Sequence, residues 1–375
     1  MPAARSHSLL PDFLAALYGL AIFYASLQPF EPWMEPAPGA SFFLFAPWPP
    51  RWVRYDIVSN IVAYFPFGFF VALAQRRRPP GGRLAVTLVV GALLSFAMES
   101  LQMFLPTRDA SVADLLSNTA GTALGGALAF ALDRSPRAKW AIASIRDRWF
   151  LPGTVGDLGI ALLVIWLVVQ VNPGIPLFAA MYDATSRPGA PGVAPDVAAT
   201  VVESAHSAFQ LLGVGLFLAL LLRERRYVAG AALLLVGAAA LVKGIAAAVL
   251  LRPTAWENWL APSVSLGVAA GSLLLSMAIW LPRPAQVTLA AVALLSSLLA
   301  TALLPDLVFA HAPLALFNSP YGHLLNFNGL THTVLLLWPA VASAFLFALA
   351  GQPGWGEPRD EAAVGRPPDL REPRA

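Results

Sequence analysis

The chain has 375 residues, 58% of them hydrophobic and only 12% charged, with a mean hydropathy of +0.67. Soluble globular chains carry roughly 25% charged residues, so a soluble domain is excluded as the main body of the protein. The absence of cysteine excludes disulfides, thiolate metal sites, iron–sulfur clusters and cysteine nucleophiles, and the net charge of +3 gives no reason to invoke nucleic acid, because the basic residues fall in short loops between apolar runs.

Apolar runs near 20 residues recur along the chain. They predict an all-α polytopic transmembrane helix bundle of about ten spans, at about 13–28, 56–75, 84–105, 112–132, 155–171, 199–222, 227–250, 261–281, 285–304 and 332–350. Continuous runs suit helices, whereas barrel strands would alternate. The connecting segments fall on two sides. One side holds 18 of the 24 basic residues, the other holds Arg51, Arg54, Arg108, Arg187 and Arg252, and Lys243 falls inside a span. The bias predicts that both termini are cytoplasmic.

The first span is short, with Arg5 ahead of it. It reads either as a retained anchor or as a signal sequence, and the lack of a small-residue cleavage site favours the anchor. Residues 29–54 form an outer loop rich in Pro, Trp and Phe, which reads either as an interfacial loop on the lipid surface or as a lid.

Residues 95–125 carry the densest polar cluster in this oily chain. A short motif is repeated around it: DIVSN at Asp56–Asn60 recurs as DLLSN at Asp114–Asn118. Each copy opens a helix with Asp and Asn on one face. Each Asp has a plain structural reading as a helix cap, but the Asn residues lie a turn deeper. Glu99 and Gln102 come from the intervening helix and Arg108 from the turn after it. With that helix ending near Leu105, Glu99 lies about 9 Å below its end, at a depth similar to Asn60 and Asn118. A carboxylate inside a membrane helix is costly against lipid and marks a candidate site; the competing reading is an interhelical hydrogen-bond knot. The candidate ligand-binding residues are therefore Asp56, Asn60, Glu99, Gln102, Arg108, Asp114 and Asn118. Gly121-x-x-x-Gly125 then permits close helix packing.

The segment 13–132 thus forms a four-helix membrane part. Residues 133–154 make a basic linker compatible with a short amphipathic helix on anionic lipid. Residues 155–350 form a six-helix extension, and 351–375 a disordered cytoplasmic tail rich in Pro and Gly. In the extension Glu203, His206 and Gln210 share a helix face. An intramembrane Glu203–Lys243 ion pair is expected, with a proton or substrate path as the alternative. His311, His323 and His332 lie in or beside an outer loop at 305–331, but their spacing matches no metal-ligand motif. No phosphate-binding loop, dinucleotide fingerprint or nucleophile elbow is present. No catalytic residue, cofactor or metal is assigned.

Asp56-x-x-x-Asn60, Pro66-x-Gly68, Glu99-x-x-Gln102, Pro106-x-Arg108 and Asp114-x-x-x-Asn118-x-x-Gly121 together resemble the VanZ-like family of membrane proteins, over about residues 13–132. The resemblance implies a multi-pass protein of the bacterial inner membrane. The family's founding member is associated with low-level resistance to the glycopeptide teicoplanin, whose targets are cell-wall precursors outside the membrane. No catalytic residues are carried over from it. The leading expectation is an outward-facing pocket for a membrane lipid or a lipid-linked cell-wall or glycan precursor. An intramembrane enzyme using Glu99 and Asp114, a transporter, and a purely structural protein are the rivals.

Overall fold

The computed structural model describes residues 8–46, 54–178, 197–253, 256, 258–303, 321–352 and 355. Its helices are α1 (Leu10–Leu27), α2 (Arg54–Ala74), α3 (Pro80–Gln102), α4 (Val112–Arg134), α5 (Pro136–Trp149), α6 (Gly153–Val169), α7 (Val197–Leu221), α8 (Val228–Leu250), α9 (Pro262–Ala278), α10 (Arg283–Leu303) and α11 (Tyr321–Ala350). Among the described residues there is no β-strand; an isolated antiparallel bridge joins Phe150 to Leu222. The described part of the chain is therefore all-α. Among the described residues seven helices, α1–α4, α7, α8 and α11, are long and apolar enough to cross a membrane. The apolar α6 and α9 have 17 residues each, about 25 Å at 1.5 Å per residue.

Local chemistry explains the helix ends. Ser111 caps α4, its Oγ accepting the Asp114 N–H at 3.0 Å, and Asp114 lies in the positive first turn. Ser135 caps α5 in the same way, its Oγ accepting from Ala138 N–H at 3.3 Å. Proline opens α3, where a missing N–H costs nothing. The basic linker does form a helix, α5, which Arg146 pins to α6 by an ion pair to Asp157 at 2.6 Å. Several expected boundaries move by a few residues, and two of the shifts matter for the polar groups. The helix α3 stops at Gln102, not Leu105. Residues 322–330, expected in a loop, are helical and lengthen α11 to 30 residues; Asn328 and Thr331 find buried partners there, which removes the cost of helical polar groups.

Between helices in lipid, apolar burial supplies little drive, and close backbone approach replaces it. The α2–α4 contact shows this. A Cβ on Gly125 would lie 1.9 Å from the Phe65 carbonyl oxygen, one on Gly121 2.4 Å from that of Ile61, and one on Gly68 2.1 Å from that of Thr122. Gly267 and Gly271 bring α9 against Ser204 and Ala208 of α7 in the same manner. In the second part an aromatic core of Trp166, Phe217, Trp338 and Phe345 is buried between α6, α7 and α11.

The helix α1 belongs to both parts. It packs on α2 and α3 and also on α6 and α11. The amide of Leu9, the residue before its first turn, donates to Asp157 Oδ2 at 2.8 Å, and Tyr24 Oη lies 2.7 Å from Thr333 Oγ1. The loop after α1 is seated on the end of α3: Met34 N–H donates to the Phe104 carbonyl at 2.9 Å, and the Phe43 ring packs 5.7 Å from Phe96.

Candidate functional site

Glu99 lies three residues before the end of α3, about 4.5 Å from it at the helical rise. It is 3% exposed. Its Oε2 accepts the backbone N–H of Ser111 at 2.9 Å. Ser111 thus works twice, capping α4 with its hydroxyl and holding Glu99 with its amide. Among the described residues Glu99 makes no ion pair. A single amide is a thin return for burying a carboxylate.

The repeated motif is used unequally. Asn60 Nδ2 donates to Asp114 Oδ1 at 2.6 Å, which places the Asn of α2 level with the Asp of α4. The other Asn, Asn118, donates instead to Ser95 Oγ at 3.0 Å. Ser95 is one turn below Glu99 on α3, so Asn118 lies deeper than Glu99 and the expected common depth is not observed. The reason is the antiparallel packing of α3 and α4, which sets Gly91 against Thr122 and so brings Ser95, not Glu99, opposite Asn118. Asn118 Oδ1 is buried without a hydrogen-bond partner, and the Tyr64 hydroxyl is buried beside Ser95. Asp56, in the first turn of α2, is half-buried, and its carbonyl accepts from Ser59 Oγ at 2.9 Å.

Arg108 does not reach these carboxylates. Its Nη2 donates to the carbonyls of Ala25 and Gln28, at 2.8 and 2.9 Å. Gln102 Nε2 likewise donates to the Ser26 carbonyl at 2.9 Å. Both side chains satisfy the open carbonyls at the end of α1. Burial pushes the Arg108 guanidinium below its ordinary value, and the charge of nearby Glu99 pushes back. Of the seven candidates, Asn60, Glu99, Asp114 and Asn118 converge around α4, whereas Gln102 and Arg108 anchor α1.

Three residues of the site were not singled out by the sequence: Tyr64, Ser95 and Ser111. The first two carried a signal. Tyr64 is four residues after Asn60 and Ser95 four before Glu99, so each extends a known polar face by one turn. Ser111 could be read only as a cap.

The Glu203–Lys243 pair is not formed. Glu203 Oε2 accepts from Ser263 Oγ on α9 at 2.7 Å, because the small residues of α9 draw α7 toward it. Lys243 is fully buried, and its Nζ donates to the carbonyls of Asn172 and Ile175 at 2.8 and 2.7 Å. These belong to a buried non-helical segment after α6, and Asn172 Nδ2 also bonds Asn328 and Thr331 of α11. Irregular backbone at membrane depth needs such donors. His206 is buried on α7. His311 lies outside the described residues, as does the side chain of His323.

No curated protein and no solved structure matches the chain. Residues 12–133 match the family model described as VanZ/LLP1. This multi-pass, all-helical chain therefore carries, in α1–α4 and around Glu99, a segment similar to the VanZ/LLP1 family.

Proposed function

We propose that the α1–α4 part holds a polar pocket, open toward the outside of a bacterial inner membrane, that binds the head group of an envelope lipid or lipid-linked cell-wall precursor. The topology that goes with this reading has about ten crossings and both termini in the cytoplasm, as the basic residues indicate. The observation that carries the reading is Glu99: a carboxylate 3% exposed inside a membrane helix, held by one backbone amide. Unspent acceptors in such a place point to a ligand.

The composition of the pocket favours a hydrogen-bond donor as that ligand. Glu99, Asp114 and the unpaired Asn118 Oδ1 are acceptors, and Arg108 is committed to the end of α1. An ammonium or a sugar hydroxyl complements this set; a bare phosphate does not. Such head groups fit a role in envelope homeostasis or glycopeptide resistance. The test is the unfolding temperature of the purified protein with phosphatidylethanolamine, a glycosylated lipid or phosphatidic acid, since a ligand that binds the folded state raises it. A rise with a donor-bearing head group that Glu99→Gln abolishes supports the reading. An equal response of both proteins to all three lipids contradicts it.

A second reading has its own support. Asn60–Asp114, Asn118–Ser95 and Gln102–Ser26 are interhelical bonds, and on that reading the cluster serves only to hold α1–α4 together.

A further inference from the structure

In the second part, a small space lies between α6, α7 and α11, lined by Trp166, Gln170, Phe178, Gln210, Leu335 and Trp338, with Pro339 beside them. It has room for about one water-sized molecule. Two of the lining residues carry a buried side-chain atom that lacks any hydrogen-bond partner: Gln170 Oε1, an acceptor, and Gln210 Nε2, a donor. Leu335 of α11 also lines the space and offers a candidate third polar group, its carbonyl. Pro339 sits inside that helix and has no N–H, so the carbonyl of Leu335, four residues earlier, loses its helical donor. Phe178 completes the wall. It is buried and has φ +56°, a left-handed conformation that is costly for a bulky side chain.

We propose that this space is a site for a single buried water molecule. The hydrogen-bond arithmetic closes: the water accepts from Gln210 Nε2 and donates to Gln170 Oε1 and to the Leu335 carbonyl oxygen. Three polar partners are what a buried water ordinarily has. Isolated orphans at this depth would each carry a desolvation cost, and the aromatic walls offer them no other partner. The bound water ties the end of α6 and the middle of α7 to α11 at the level of its proline.

The direct test is a density map of the full-length protein at about 2 Å resolution. The expected result is one peak within hydrogen-bond distance of Gln170 Oε1, Gln210 Nε2 and Leu335 O. An empty space, or a direct bond from Gln210 to Gln170, overturns the proposal. A thermal-unfolding cycle with Gln170→Leu, Gln210→Leu and the double variant gives a second readout. With a bridging water, the second substitution lowers the unfolding temperature by less than half of what it does in the wild-type background. Additive losses contradict the bridge.

Discussion

Asn60 Nδ2 donates to Asp114 Oδ1 at 2.6 Å, so the Asn of the first DxxSN copy binds the Asp of the second. The bond fixes the offset between two parallel helices and places the second Asp beside Glu99. Asn60→Ala is expected to destabilise the protein by about 1–3 kcal/mol, the cost of removing a hydrogen bond to a charged group. In a cycle with Asp114→Asn, equilibrium unfolding should show coupling between the two positions. Independent effects would mean that the bond does not hold the helices in register.

The glycines of α2 and α4 act through contact distance. Gly125→Ala puts a Cβ against the Phe65 carbonyl, where 1.9 Å is available, and should cost at least about 1–3 kcal/mol, as overpacking does. Gly237→Ala on α8 meets nothing within 4 Å and should change stability by less than about 0.5 kcal/mol. Unfolding measurements on the two variants, made side by side, check the contrast.

Lys243→Met strips the Asn172 and Ile175 carbonyls of their donor and should lower stability by about 1–3 kcal/mol. Glu203→Gln should have the same effect in the wild-type and the Lys243→Met backgrounds, because Glu203 bonds Ser263 instead. Coupling above about 1 kcal/mol between the two positions would restore the ion pair.

The absence of cysteine makes topology easy to measure. Trp140 of α5 is 70% exposed, and Trp140→Cys should react with an impermeant thiol reagent only from the cytoplasmic side. A cysteine replacing exposed Met34, in the loop after α1, should react only from outside. The reverse pattern would invert the proposed orientation.

Much of this fold was legible because lipid imposes a simple code. Each of the ten apolar stretches carries a helix, and the DxxSN repeats marked two parallel helix starts. What stayed hidden depended on which helices touch. Arg108 reads as a candidate ligand-binding residue, yet the end of α1 brings it open carbonyls first. Glu203 and Lys243 lie on consecutive helices, yet the small face of α9 captures α7. The outer Asn-rich stretch at 322–330 reads as loop because Asn and Gly are poor helix formers, and its helicity depends on Asn172, some 150 residues away. Pairing of polar groups is a tertiary property, and spacing alone orders only those on one helix.

The central claim is that Glu99 serves a ligand, and mass spectrometry of the lipid retained by purified protein tests it most directly. Wild type would be compared with Glu99→Gln and Asp114→Asn variants that still insert and unfold cooperatively. The account predicts one donor-bearing lipid class enriched in wild type and lost from both variants. The same unselective lipid in all three samples would contradict it and leave the polar cluster as a brace between helices.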